Sequence, residues 1–94
     1  MCKSEIFAEI LQAVSRETEV SAKQILGDSK QMDIVDARYL LVYFLYSKGF
    51  YPSLIAKRIN KTKRAVNYIL TKFSDRLSTG KMLRIQFENI KKLT

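Results

Sequence analysis

The chain has no histidine, one cysteine, one proline and three glycines in 94 residues. Each shortage closes a class of function. Without histidine there is no Ser–His–Asp or Cys–His catalytic arrangement and no Cys–His zinc site. Cys2 has no second cysteine to pair with, which excludes a disulfide-stapled secreted scaffold. The longest apolar run, Tyr39–Tyr46, is eight residues, against roughly 20 needed to span a bilayer. The opening MCKSEIFAEI has neither a long apolar segment nor a small-residue cleavage site, so no signal peptide is expected. A reducing cytoplasm is the expected setting. The scarcity of Gly and Pro and of β-branched alternation points to an all-α fold. A hydrophobic fraction of 47% is enough for one modest core, so residues 1–94 are expected to form a single domain.

Acid is also missing, but only regionally. Residues 37–74 contain no Asp or Glu and eight Lys or Arg, a net charge of +8. Residues 1–36 carry four bases against seven acids, a net of −3, and residues 75–94 carry five bases against two acids, a net of +3. Scattered bases would only solvate a surface. Bases gathered in one acid-free stretch make a focused positive field of the kind polyanions need.

Apolar spacing predicts five to six helices. Ile6, Phe7, Ile10, Leu11 and Val14 form one face of a helix over about Glu5–Arg16, with Ser4 as its N-cap. Ser21 and Gln24 fit a capping box for a short helix that Gly27 would stop in a left-handed conformation. Asp33 is the expected N-cap of a third helix ending at Lys48 before Gly49. Its middle, YLLVYFLY, is apolar on every side and reads as the central core helix rather than as an aromatic ligand pocket. A break at Gly80 precedes a last helix, Met82–Leu93, with Leu83, Phe87, Ile90 and Leu93 on its apolar face.

Between these lies Pro52–Phe73, PSLIAKRINKTKRAVNYILTKF, which reads as a helix-turn-helix. Pro52 suits a first helical turn. Leu54, Ile55 and Ile59 give the first helix a buried side, and Ala56 is small where two backbones would approach. Asn60 sits in the sharp turn, where a positive φ favours Gly or Asn. Val66, Ile69, Leu70, Phe73 and Leu77 form the inward stripe of the second helix, which leaves Arg64, Tyr68 and Thr71 outward, flanked by Lys63 and Asn67. Arg and Asn are the side chains that pair bidentately with guanine and adenine edges. The expected base contacts are therefore Lys61, Thr62, Lys63, Arg64 and Asn67. The expected phosphate contacts are Lys30, Arg38, Lys48, Ser53, Lys57, Arg58 and Lys72.

Together, VSAKQIL, GDSKQM, DARYLLVYFLY and PSLIAKRI resemble successive segments of domain IV, the C-terminal DNA-binding domain of the bacterial chromosomal replication initiator DnaA. That domain belongs to the tryptophan repressor superfamily. The resemblance spans about Val20 to Leu93. It implies this helical architecture, double-stranded DNA as partner and a role in replication initiation or its regulation. In the family a Gly-Gly-Arg-Asp-His-Thr-Thr-Val signature follows; here Ile59-Asn60-Lys61-Thr62-Lys63-Arg64-Ala65-Val66 stands in its place, one turn residue shorter. The resemblance aligns Lys61 with the signature Arg, Arg38 with the Arg of an Ala-Arg pair, and Lys30 with a remnant of a basic loop. The base-reading stretch Asp-His-Thr-Thr has become Thr62-Lys63-Arg64-Ala65, so the architecture carries over and the initiator's recognition sequence does not.

No enzyme is expected. The acid pairs Glu5/Glu9 and Asp33/Asp36 are explained by helix dipoles, there is no P-loop pattern for ATP hydrolysis, and no metal, cofactor or small-molecule substrate is implied. A lone recognition helix binds weakly, so a homodimer or larger nucleoprotein complex fits. Other readings stay open on the sequence: a transcriptional regulator or phage or mobile-element protein of the same fold, a module that binds an acidic protein, or structured RNA with Tyr51 or Tyr68 stacking on unpaired bases.

Overall fold

The computed structural model describes residues 2–93. Six helices follow one another: α1 (Lys3–Thr18), α2 (Ala22–Leu26), α3 (Met32–Ser47), α4 (Pro52–Ile59), α5 (Lys63–Thr79) and α6 (Lys81–Leu93). No strand occurs among the described residues, so the fold is all-α.

α3 is the axis of the packing because its sequence leaves it no polar side. Ile34, Ala37, Tyr39, Leu40, Leu41, Val42, Phe44 and Leu45 are all buried. Burying a side chain of that kind contributes about 1.5–3 kcal/mol, so this one helix supplies much of the driving force. α1, α2, α4 and α5 pack around it, and α6 closes against α1 and α5. Four aromatic rings join the later elements: Tyr43 stacks on Phe73 at 4.4 Å between centroids, and Phe87 meets Tyr43, Phe44 and Phe73 at 5.4–5.7 Å. The core is chemically simple, with no buried polar or charged residue among those described.

Local chemistry sets the helix ends. The Ser21 hydroxyl accepts the Gln24 N–H while the Gln24 side chain accepts the Ser21 N–H, the reciprocal capping box the sequence predicts. Gly49 has φ +93°, which ends α3 and turns the buried Phe50 back so that its N–H reaches the Leu45 carbonyl. Asn60 has φ +57°, and the Lys61 N–H beyond it closes α4 onto the Ala56 carbonyl. α5 runs to Thr79 and is capped at Gly80, as the spacing predicts.

Several expected boundaries move. α1 is capped by Cys2, not Ser4, and α3 by Gln31, not Asp33. Asp33 lies inside α3, where its carboxylate accepts the Ile34 N–H. Gly27 is extended (φ −85°, ψ −161°) rather than left-handed, because α2 ends in a tight N–H bond from Gly27 to the Gln24 carbonyl. Glu19, not a glycine, takes the left-handed position after α1, with φ +59°. Leu93 is 68% exposed and not part of the apolar face of α6. Leu54, Leu70 and Leu77 are half-buried at the edge of the core.

Candidate nucleic-acid interface

α4, the three residues Asn60–Thr62 and α5 form the pair on which the sequence places the site. Ile55, Ala56 and Ile59 of α4 and Val66, Ile69 and Phe73 of α5 are buried, so both helices turn a fixed side to the core. The opposite side of α5 follows from its pitch of about 100° per residue. Lys63, Arg64, Asn67, Tyr68 and Thr71 are all exposed there. The side chains of Lys63, Arg64 and Asn67 make no hydrogen bond or ion pair among the described residues. Thr62 caps the helix, its hydroxyl accepting the Ala65 N–H at 3.0 Å. The N–H groups of Lys63 and Arg64, in the first turn, have no helical acceptor and point outward with the positive end of the dipole.

Two residues expected at the interface already have partners within the fold. Arg38 does not present a free guanidinium to a phosphate. Its Nε donates to the Ile25 carbonyl at 2.9 Å, Nη1 to Ser29 at 3.1 Å and Nη2 to Gly27 at 2.9 Å. These carbonyls lie at and beyond the end of α2, where the chain has no helical donors left for them. Lys61 is also bonded within the fold. Its Nζ donates to the Gly27 carbonyl at 2.8 Å and pairs with the Asp28 carboxylate. The two cations thus bind the 27–29 loop to α3 and to the start of α5. The Lys61 bond holds the Asp28 carboxyl below its ordinary range.

The loop and α5 enclose an open cleft of about 670 Å3 lined by Asp28, Lys30, Arg38, Lys61, Thr62, Arg64, Ala65, Tyr68 and Ile69. This brings Lys30, Thr62 and Arg64 together. A second, shallower cleft of about 290 Å3 runs on past Tyr68 to Lys72, Asp75 and Arg76. Lys72 holds its ammonium 6.0 Å from the Tyr68 ring, and Tyr68 is 58% exposed. Arg76 closes this end, paired with Asp36 at 2.6 Å and lying over the Tyr39 ring at 4.7 Å. Burial pushes the Tyr39 hydroxyl above its ordinary pKa.

The other expected phosphate ligands are exposed but stand apart from the clefts. Lys57 and Arg58 end α4, with the Arg58 guanidinium 5.8 Å from the Phe7 ring. Lys48 and Ser53 flank the α3–α4 connection. Asp28 is the site residue that sequence reasoning missed. It stands 33 residues before Lys61 in a polar loop, and no spacing rule links them.

No cluster of three or more metal-ligating side chains occurs among the described residues, and no described helix is long and apolar enough to cross a membrane. No family model, curated protein or solved structure matches the chain.

Proposed function

We propose that the protein binds double-stranded DNA through α4 and α5, used as a helix-turn-helix with α5 in the major groove. The observation that carries this reading is the outward side of α5. It presents Lys63, Arg64 and Asn67 without a side-chain partner among the described residues, on a helix whose other side is locked in the core, within a stretch that has no acid. Arg64 and Asn67 supply base-edge chemistry, and Lys63 and the first-turn N–H groups supply affinity for backbone oxygens. Lys57 and Arg58 on α4, Lys72 on α5, and Lys30, Lys48 and Ser53 around them would meet phosphates, which position the duplex without reading it. The resemblance to the initiator's DNA-binding domain extends the reading to replication initiation or its regulation. Two molecules on a divided site, or a larger nucleoprotein complex, would compensate for the small footprint of one α5.

Selection of bound duplexes from a random pool tests the proposal. A recovered motif, and affinity that falls steeply with salt, support it. Enrichment of nothing, or binding indifferent to salt, sinks it.

A further inference from the structure

Asp28 is the single acid in a cleft otherwise supplied with Lys30, Arg38, Lys61 and Arg64. The two halves of its ion pair are unlike. The Lys61 side chain is 16% exposed and the Asp28 side chain 96%. The ammonium is therefore set in place under the Gly27 carbonyl, while the carboxylate projects into water. Arg38 pins the carbonyls on both sides of Asp28, at Gly27 and Ser29, so the side chain can swing away without moving the loop. An exposed carboxylate of this kind is exchanged at little cost. A phosphate arriving in its place offers several charged acceptors to one ammonium. It also meets Lys30 and Arg64, which hold no ion pair or hydrogen bond among the described residues, and the open first turn of α5.

We propose that this cleft is a phosphate seat, occupied in the free protein by the protein's own Asp28 carboxylate, which a bound phosphate displaces from Lys61. The seat stands on the cleft alone. Its natural occupant, a backbone phosphate of the duplex lying along α5, rests on the proposed function. Asp28 then sets affinity by competition: every phosphate that enters must displace a like charge. Because Lys61 also keeps the Asp28 carboxyl ionised into acid, the competitor is in place at all ordinary pH values.

The test has two arms. In the first, inorganic tripolyphosphate is titrated into the protein and followed by amide chemical shifts at Asp28, Lys30, Lys61 and Arg64. Asp28→Asn keeps the shape and removes the charge, and should bind about 2–5-fold more tightly, the change that an exposed ion pair corresponds to. Glu88→Gln removes an exposed charge on α6 and should not reproduce the gain. Adding Lys61→Gln to Asp28→Asn should abolish it. No gain in Asp28→Asn, an equal gain in Glu88→Gln, or a gain that survives Lys61→Gln overturns the proposal. If the Lys61→Gln background fails to fold, the comparison of Asp28→Asn with Glu88→Gln decides. In the second arm, duplex of random sequence is bound over a salt series, and Asp28→Asn should steepen the log–log slope by about one. Retention of the tripolyphosphate result with no duplex binding by any variant supports the seat and overturns the function proposed above.

Discussion

Two sets of cations flank the turn between α4 and α5, and they differ in what they are bonded to. Arg38 and Lys61 face inward onto carbonyl groups of the 25–29 loop. Lys63 and Arg64, within three residues of Lys61, face outward with no hydrogen bond or ion pair among the described residues. All four belong to the same acid-free stretch and look equivalent in a count of charge. The first pair is bonded within the fold, and the second has no such bond among the described residues. Net charge therefore does not separate the cations that the fold already bonds from those it leaves exposed.

The sharpest way to break this comparison is to remove one member of each set. Arg38→Ala strands carbonyls at the end of α2 and should cost about 2–3 kcal/mol of stability, the scale of lost charge-assisted hydrogen bonds. A urea unfolding curve reads it as a lower midpoint. Arg64→Ala should reverse the pattern. Its stability should stay within about 0.5 kcal/mol of the parent, while affinity for a selected duplex falls by about 1–3 kcal/mol and its sequence preference relaxes. If Arg64→Ala unfolds the protein, or Arg38→Ala spares it, the division into inward and outward cations is wrong.

Asn60→Ala probes the turn that separates the sets. It forces a β-carbon residue without the Asn side chain into φ +57° and should cost about 1 kcal/mol, whereas Asn60→Gly should be close to neutral. Lys57→Ala should have a smaller and less selective effect: weaker binding of every duplex alike, and a salt slope shallower by about one.

The smallest effect concerns pH. The folded Asp28 carboxyl lies below its unfolded value of 3.8, so its pairing with Lys61 favours the fold above that value. The contribution disappears as pH falls through the lowered folded value. The parent and Asp28→Asn should therefore differ slightly in unfolding midpoint at neutral pH and converge in strong acid. Because the carboxylate is fully exposed, the difference should shrink further in high salt.

Much of the fold was legible in the sequence because its signals are local. Helical spacing marks Ile10 and Val14, the all-round apolar run marks α3, and the Ser21–Gln24 box and Asn60 act within four residues of themselves. The outward direction of Arg64 and Asn67 follows from the inward one of Val66 and Phe73 by helical pitch alone. What escaped were the partners that only folding brings near. Arg38 reaches carbonyls 9 to 14 residues away, Lys61 an acid 33 away, and Arg76 an acid 40 away. Cap choice failed for a related reason. Asp33 is a better intrinsic N-cap than Gln31, yet α3 begins two residues earlier, with Met32 and Asp33 already inside it.

The ring cluster of Tyr43, Phe44, Phe73 and Phe87 has a consequence for synthesis. The last of these rings lies on α6 and packs on both α3 and α5. On a ribosome the chain emerges from its first residue onward, and α5 is complete before α6 exists. Until Phe87 arrives, the inner side of α5 lacks one of its walls, and the parts of the Tyr43, Phe44 and Phe73 rings that Phe87 covers stay open to water. α3 and α4 already hold α5 by then, and α6 adds the last wall behind it without touching the outward face.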